Sequence, residues 1–349
     1  MLTRLLRRLF PTPAPAAPGG QAARESPYRK AARPSASFPP GSLELLYESR
    51  STLVRELVAD ANGLYFVDGD ALLFVPEDAP RPEVIANTGL TVRLARADGD
   101  LFRARMTWGM SFTIERVTAG SAAIEITSGS GLVHGFAVGG AHLYWTHIET
   151  ETDDSDKVIR AFRSSLYRVA LSGGAPDPVL TRDASMTDLI ADADHLSWIE
   201  HEVSGRHRLM AMPHAGGALL NLAELRRGPP LRSSQIALAY DASHIYWSDE
   251  RTMGISKVAR AGGPVKSLCA GLRSPLALAA EEGTVYAIVD DPERARQWVG
   301  SLAPGASRFT PLGRYESAGG QPMRLTLDQI AVAGGQVYLS DGDWVFRLW

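Results

Sequence analysis

The residues with the clearest potential for chemistry lie in an acidic segment, positions 147–163 (HIETETDDSDKVIRAFR). It brings His147, Glu149, Asp153 and Asp154 close together in the chain. Read as a calcium-binding loop that starts at Asp154, it lacks the glycine required at the sixth position and the glutamate required at the twelfth. A solvated acidic loop is the better interpretation. A partner-facing arm is the alternative, since loops of this length usually have a function.

A second segment, residues 201–205 (HEVSG), begins like the HExxH zinc motif, which places two histidines on one face of a helix. Gly205 stands where the second histidine must be, and the nearby Trp198 is more typical of a strand. We therefore expect no zinc site of this type. The sequence also lacks a GxSxG nucleophile elbow and a phosphate-binding GxxxxGK[ST] loop.

These candidates belong to a repeated pattern that must position them. Segments such as Leu143-Tyr144-Trp145-Thr146 and Ile245-Tyr246-Trp247-Ser248-Asp249 recur at intervals of 37 to 53 residues, and Gly-Gly pairs follow several of them. Units of this length bury their apolar faces only against their neighbours, so the period predicts a single repeat domain. The equivalent positions are Tyr65, Phe102, Tyr144, Ser197, Tyr246, Tyr286 and Tyr338.

Each unit resembles a four-stranded meander, clearest between residues 236 and 268, where alternating apolar residues and turn signals mark four short strands. Such units close into an all-β propeller, which leaves no long open edge. We predict seven four-stranded blades, with six as the alternative. The last copy has only three strands, so residues 43–47 are predicted to complete it as an N-terminal closing strand.

The Tyr-Trp segments and the Gly-Gly hairpins resemble the YWTD-type repeats of the low-density-lipoprotein-receptor propellers and of related bacterial proteins. The resemblance covers residues 42–349 and is weakest in the second copy, where Leu101-Phe102-Arg103 replaces the aromatic pair. It implies a propeller that binds proteins or small ligands, with no catalytic motif. It also implies that the aspartates closing the second strands hydrogen-bond backbone between blades; they are Asp68, Asp249 and Asp341.

Three histidines occupy one equivalent position, just before the second strand: His142, His195 and His244. Propeller symmetry places them in different blades, whereas zinc ligands must lie about 2 Å from a common point. We therefore predict turn or strand-start positions for them. The aromatic side chains of the second strands are expected to pack between blades rather than to contact a ligand.

Charge and composition limit the partners. The net charge of -3 combines a leader, residues 1–40, that carries seven Lys or Arg against Glu25, with an acidic body. An acidic body argues against nucleic acid, which requires clustered Lys and Arg. The single Cys269 excludes intrachain disulfides. We expect a disordered leader at 1–40 and one propeller domain at 41–349.

The leader lacks the apolar run of a secretory signal, and no stretch of about 18 apolar residues offers a membrane span. We therefore expect a soluble, cytoplasmic and monomeric protein. A leader without a role is the favoured interpretation of residues 1–10. The alternative is a short cationic helix that docks on a partner or makes a weak contact with an anionic surface.

In a propeller, the loops that join second to third strands share one face with the blade-to-blade connections. We name this the loop face, and variable charged loops on a rigid scaffold are where binding residues are usually found. We predict a non-catalytic binding or scaffolding propeller for a protein or peptide, without a cofactor or metal. The alternatives are a metal-assisted lyase or lactonase-like enzyme, with His147, Glu200 and Asp249 at the channel mouth, and a small-ligand or carbohydrate binder. The candidate binding residues are His147, Glu149, Asp153, Asp154, Glu200, His201, Arg208, Asp249, Glu250, Arg251, Asp290 and Arg294.

Overall fold

The chain folds into seven antiparallel β-sheets arranged as a seven-bladed propeller. This computed structural model describes residues 35–39, 42–49, 51, 54–78, 81–87, 90–97, 99–107, 111–152, 158–202, 204–225, 236–249, 252–272, 275–291, 296–316 and 327–349, without the side chains of 35–37, 87, 149–152, 158–162 and 316. These residues contain strands but no helix, and so none that could cross a membrane. The predicted all-β propeller with seven blades is confirmed.

Blades 1 to 3 follow one another along the chain, and each is a four-stranded meander in which consecutive strands are hydrogen-bonded neighbours. The strands of blade 1 are β3 (Val54–Asp60), β4 (Gly63–Asp68), β5 (Ala71–Pro76) and β6 (Glu83–Asn87). The strands of blade 2 are β7 (Leu90–Ala97), β8 (Asp100–Met106), β9 (Ser111–Val117) and β10 (Ile124–Ser130). The strands of blade 3 are β11 (Leu132–Gly139), β12 (His142–Thr152), β13 (Val158–Ala170) and β14 (Asp177–Arg182).

Blades 4 to 6 repeat this topology. The strands of blade 4 are β15 (Ser185–Ala191), β16 (His195–His201), β17 (His207–Pro213) and β18 (Leu220–Leu225). The strands of blade 5 are β19 (Leu238–Tyr240), β20 (His244–Asp249), β21 (Gly254–Ala259) and β22 (Lys266–Cys269). The strands of blade 6 are β23 (Pro275–Glu281), β24 (Thr284–Asp291), β25 (Arg296–Leu302) and β26 (Thr310–Glu316).

Blade 7 combines the two ends of the propeller sequence. Its first three strands are β27 (Gln329–Ala333), β28 (Gln336–Ser340) and β29 (Trp344–Leu348), and its fourth is β2 (Leu43–Glu48), which pairs antiparallel with β29. Arg347 reinforces this pairing with a 2.6 Å ion pair to Glu44. The predicted closing strand is confirmed.

A further short strand, β1 (Ser35–Ser37), lies at the outer edge of blade 6 and pairs with β26. The Phe38 ring lies against Gly313, where an added Cβ would stand 1.9 Å from a ring carbon. These residues fall within the leader that was expected to be disordered. The local reason for order is that β26 offers an unpaired edge and Gly313 leaves space for an aromatic ring. Residues 1–34 lie outside the described residues.

The core consists of seven apolar clusters, one at each junction between neighbouring blades. Because successive side chains of a strand point to opposite faces, Tyr144 packs towards blade 4 while Trp145 packs towards blade 2. Tyr246 and Trp247 do the same around blade 5. The aromatic pairs therefore join blades, as the sequence predicted.

Blade 2 departs from this aromatic rule. Arg103, which replaces the second aromatic residue, is only 1% exposed, and its guanidinium lies 2.7 Å from the Glu115 carboxylate. Arg105 binds the other oxygen of Glu115 at 2.6 Å. A buried charge is tolerated only when it is paired, so Glu115 makes this substitution possible.

The turns follow the predicted chemistry. At the hairpin between the third and fourth strands of blade 5, Gly262 and Gly263 have φ angles of +88° and +128°. Side chains with a Cβ rarely adopt these angles, so glycine is required there. These tight hairpins lie on the face opposite the loop face.

Candidate functional site

The main cavity is a central channel of about 1010 Å³, walled by the first strand of every blade. One arc of its wall, from blades 1 to 4, carries the polar side chains of Glu56, Arg93, His134 and Asp188. The opposite arc, from blades 5 to 7, is largely apolar and includes Ile236, Leu238, Leu276, Leu278 and Ile330. The channel is therefore amphipathic across its width.

Two of its acids are placed by bulges in the first strands. The register of β3 against β4 shifts between Arg55 and Val58, and that of β15 against β16 shifts between Thr187 and Ile190. Glu56 and Asp188 lie at these shifts with φ angles of +56° and +52°. A residue other than glycine pays about 1–2 kcal/mol for this conformation, and bulges are frequent where a side chain is redirected towards a site.

Glu56 and Arg93 form a fixed ion pair on the polar arc, with 3.0 Å between a carboxylate oxygen and Nη1. The same guanidinium donates from Nε to the backbone oxygen of His134 at 2.7 Å and from Nη1 to that of Val92 at 2.7 Å. Arg93 is thus held by three bonds while 39% of its side chain remains exposed. It presents a preoriented positive charge inside the channel.

A chain of hydrogen bonds runs from Asp188 to the loop face. The Thr187 hydroxyl donates to Asp188 at 2.7 Å and lies 2.9 Å from Nε2 of His201, whose Nδ1 is 2.7 Å from Nδ1 of His207. Because the hydroxyl proton is committed to Asp188, His201 must donate from Nε2, and His207 then donates to Nδ1 of His201. Blade 4 therefore connects its second-to-third-strand loop to a carboxylate in the channel.

Enclosure by the channel wall changes the charge states of several groups. Burial raises the pKa of Asp188, partly offset by the Thr187 hydrogen bond and by Arg93. Asp188 is open to the channel but surrounded by protein, so the solvent that reaches it is confined. Burial also raises the pKa of Asp328 to about 6, and burial with the nearby Arg93 and His147 lowers that of His134 to about 4. His134 is consequently neutral at physiological pH.

Among the sequence-predicted residues, His201 lies in this channel, and two others lie near it. Glu200 is buried and accepts a 3.0 Å bond from Arg182, so it supports the end of β16 rather than facing a ligand. Arg208 is paired with Glu202, which lines the channel at the loop face. Of the predicted residues, those of blade 4 therefore lie at or near the channel.

The other described candidates do not line the channel, although His147 lies close enough to the channel residue His134 to lower its pKa. Asp249 is buried and accepts a 2.8 Å bond from Ser256 in its own blade. Asp290 lines a separate pocket of about 290 Å³ in blade 6, beside Trp298. The His147 ring lies over Gly131, where any Cβ would meet its Nε2. The predicted residues that lie outside the described residues, or whose side chain is not described, are Glu149, Asp153, Asp154, Glu250, Arg251 and Arg294.

The repeat-equivalent histidines begin the second strands β12, β16 and β20, as predicted. The equivalent aspartates behave differently from the expectation of backbone bonds between blades. Asp68 accepts from the hydroxyls of Tyr47 and Ser49 at 2.6 Å each. Asp341 accepts from the hydroxyl of Tyr315 in blade 6, and its backbone bonds, from the amides of Asp343 and Trp344, lie within its own blade. Hydroxyls reach across a junction where the neighbouring backbone amides are committed to their own sheet.

Sequence reasoning missed most of the channel, namely Glu56, Arg93, Asp188 and Asp328. The sequence signal that could have revealed these residues is a break in the alternation of polar and apolar residues along the first strands, as in Arg55-Glu56-Leu57. The residues that the enzyme alternative assigned to a metal come from blades 3, 4 and 5. Within the described part of the chain, no group of three or more His, Cys, Asp or Glu residues is arranged to hold a metal ion.

Comparisons with known proteins show the fold. The tricorn protease is similar with a TM-score of 0.58 and 10% identity, over 89% of this chain and 34% of the protease. The WD40 repeats of RRP9 are similar with a TM-score of 0.56 and 11% identity, over 90% of this chain and 99% of that chain. A chain of a nidogen/laminin complex has a TM-score of 0.46 and 17% identity, over 71% of this chain and 89% of that chain. No protein-family model matches the sequence, and a search of the curated proteins gives no match either.

Proposed function

We propose that this chain is a non-catalytic binding or scaffolding propeller that engages a protein or peptide partner through the loop face, with the channel mouth as the centre of the site. The observation that carries the proposal is the channel itself, a large cavity with polar side chains on bulged strands. Packing of the blades does not require charged residues in this position. Concave, mostly apolar cavities with a few convergent polar groups are the usual form of small-ligand sites, and a single side chain or chain end of a peptide is of that size.

The hydrogen-bonded chain of blade 4 supports a link between the loop face and the channel. A partner that contacts the loop between His201 and His207 also affects Thr187 and Asp188, because these groups are bonded in series. The YWTD-type motifs agree with this proposal, since they imply a binding propeller. Repeat scaffolds commonly carry their binding residues on one face in this way.

A peptide-display selection on immobilised full-length protein tests the proposal. Selected peptides are then measured by fluorescence anisotropy against wild type, Asp188→Asn and a matched control, Asp194→Asn. Asp194 is an exposed acid of the same blade, in the turn between β15 and β16 on the opposite face. Asparagine also tolerates the left-handed backbone of position 188, so this variant keeps the fold.

We expect the selected peptides to bind wild type and Asp194→Asn equally and to bind Asp188→Asn about tenfold more weakly, which corresponds to about 1.4 kcal/mol. Failure to enrich any peptide, or equal binding by all three proteins, contradicts the proposal.

A further inference from the structure

The channel wall carries more negative than positive groups. Its acids are Glu56, Asp188, Glu202 and Asp328, and Arg93 is the single Lys or Arg among its described lining residues. Glu56 is paired with Arg93 and Glu202 with Arg208, whereas the ion pairs of the described residues include neither Asp188 nor Asp328. The opposite arc is largely apolar. Lysine and arginine side chains combine an aliphatic stem with a charged head, so they match both arcs at once. The cavity therefore suits a basic side chain.

A basic segment of this same chain reaches the propeller on the side where the channel opens. Ser35, the first residue of β1, pairs with Glu316 at the end of β26. Glu316 ends the fourth strand of blade 6, and in this topology fourth strands end at the loop face. Ser35 consequently lies at the loop face, and positions 1–34, which precede it in the chain, contain seven Lys or Arg against Glu25.

The distances are compatible with contact. Strand β1 and the channel-lining strand β23 are the two ends of one five-stranded sheet. At about 4.8 Å between neighbouring strands, they lie about 19 Å apart. Lys30 precedes Ser35 by five residues, which span up to about 17 Å when extended, and its long side chain adds several ångströms. Lys30 and Arg29 can therefore reach the near rim of the channel, where Asp328 of the neighbouring blade 7 lies. Arg24, eleven residues before Ser35, can reach further into the channel, whereas Arg33 is too close to Ser35.

We propose that Arg24, Arg29 and Lys30 of this chain bind in cis at the acidic channel mouth and occupy the site in the absence of a partner. The inference rests on the proposed function, because it concerns the same site, and it adds a built-in competitor. A partner must then displace the segment, so the affinity of a partner depends on the charge of residues 24–30. Tethering gives such a competitor a high effective concentration without a tight intrinsic affinity.

Carbodiimide coupling of the full-length protein tests the contact. The reagent joins a lysine amine to an adjacent carboxyl group as an amide, and Lys30 is the single lysine among residues 1–34. We expect peptide mapping to find Lys30 joined to Asp328, the channel acid in the blade next to β1. Lys30→Arg keeps the charge but removes the product, which confirms the assignment. Neutralising the neighbouring charges with Arg24→Gln and Arg29→Gln should lower the yield of the Lys30 product about threefold or more. Each arginine attracts the channel acids, and salt screens this attraction only in part.

The matched control is Arg4→Gln with Arg7→Gln, which removes the same charge further from Ser35 and should leave the yield unchanged. Coupling of Lys30 only to carboxyls outside the channel, or no coupling, overturns the inference. A mixture of isotopically light and heavy protein shows whether the product forms within one chain, and a product between chains also overturns it. If peptides bind at Asp188 but no Lys30 product forms, only the inference is refuted. If the Lys30 product forms but the selection yields no peptide, only the proposed function is refuted.

Discussion

The buried ion pair of blade 2 gives a quantitative test of how the propeller tolerates a charge between blades. In Glu115→Gln, the Arg103 guanidinium stays 1% exposed and faces Arg105 without a carboxylate between them. Removing one partner of a buried pair costs about 3–5 kcal/mol. With an unfolding entropy of about 2.1 cal/mol/K per residue over about 300 residues, Tm should fall by about 5–8 °C.

The pH dependence of this effect has a defined sign. Burial alone raises the pKa of Glu115, but hydrogen bonds from Arg105 and Arg103 outweigh it, so the folded-state pKa lies below its usual 4.5. A lowered folded-state pKa stabilises the protein above the unfolded pKa, and this stabilisation is lost as the pH falls through the folded value. The difference between wild type and Glu115→Gln should therefore be largest at neutral pH and should narrow below about pH 4.

The assay is urea unfolding followed by tryptophan fluorescence, at pH 7 and at several acidic pH values. Glu125→Gln is the matched control, because Glu125 lies opposite Glu115 in the same sheet but is exposed. We expect the control to change the free energy of unfolding by less than about 0.5 kcal/mol. The reasoning is refuted if Glu115→Gln lowers the free energy of unfolding by less than about 1 kcal/mol at pH 7. It is also refuted if the difference in free energy of unfolding between wild type and Glu115→Gln does not change with pH.

Three other changes test further parts of the structure. Leu46→Ala, in the closing strand, should lower the free energy of unfolding by about 2–5 kcal/mol in urea titrations, because Leu46 is buried between blades 7 and 1. Gly313→Ala should expel Phe38 and expose residues 35–39 to limited proteolysis, while thermal unfolding of the ring stays cooperative. The pKa of Asp328, raised to about 6, favours the folded state below about pH 4 and loses that contribution as the pH rises through 6. Asp328→Asn should therefore flatten the decline of Tm between about pH 4 and pH 6, and an unchanged decline contradicts this assignment.

The fold was accessible from sequence because its decisive residues repeat. Tyr144 and Tyr246 occupy equivalent positions of the repeats, where an aromatic residue fills the junction between two blades. The number of these positions therefore predicted the number of blades. The channel was not accessible in this way. Glu56 and Asp188 face it because of bulges with a left-handed backbone, and a bulge changes which side of the sheet a residue occupies. Buried acids such as Glu200 looked functional in the sequence, since only the structure reveals the partner Arg182.

The pairing of β2 with β29 also determines the order in which the protein can be completed during synthesis. Glu44 and its partner Arg347 are 303 residues apart, so β2 leaves the ribosome long before β29 exists. Until then the edge of β2 is unpaired and open to other strands, and contacts of such separation form slowly. A chain interrupted before β29 has no partner for β2, so the circle of blades cannot close.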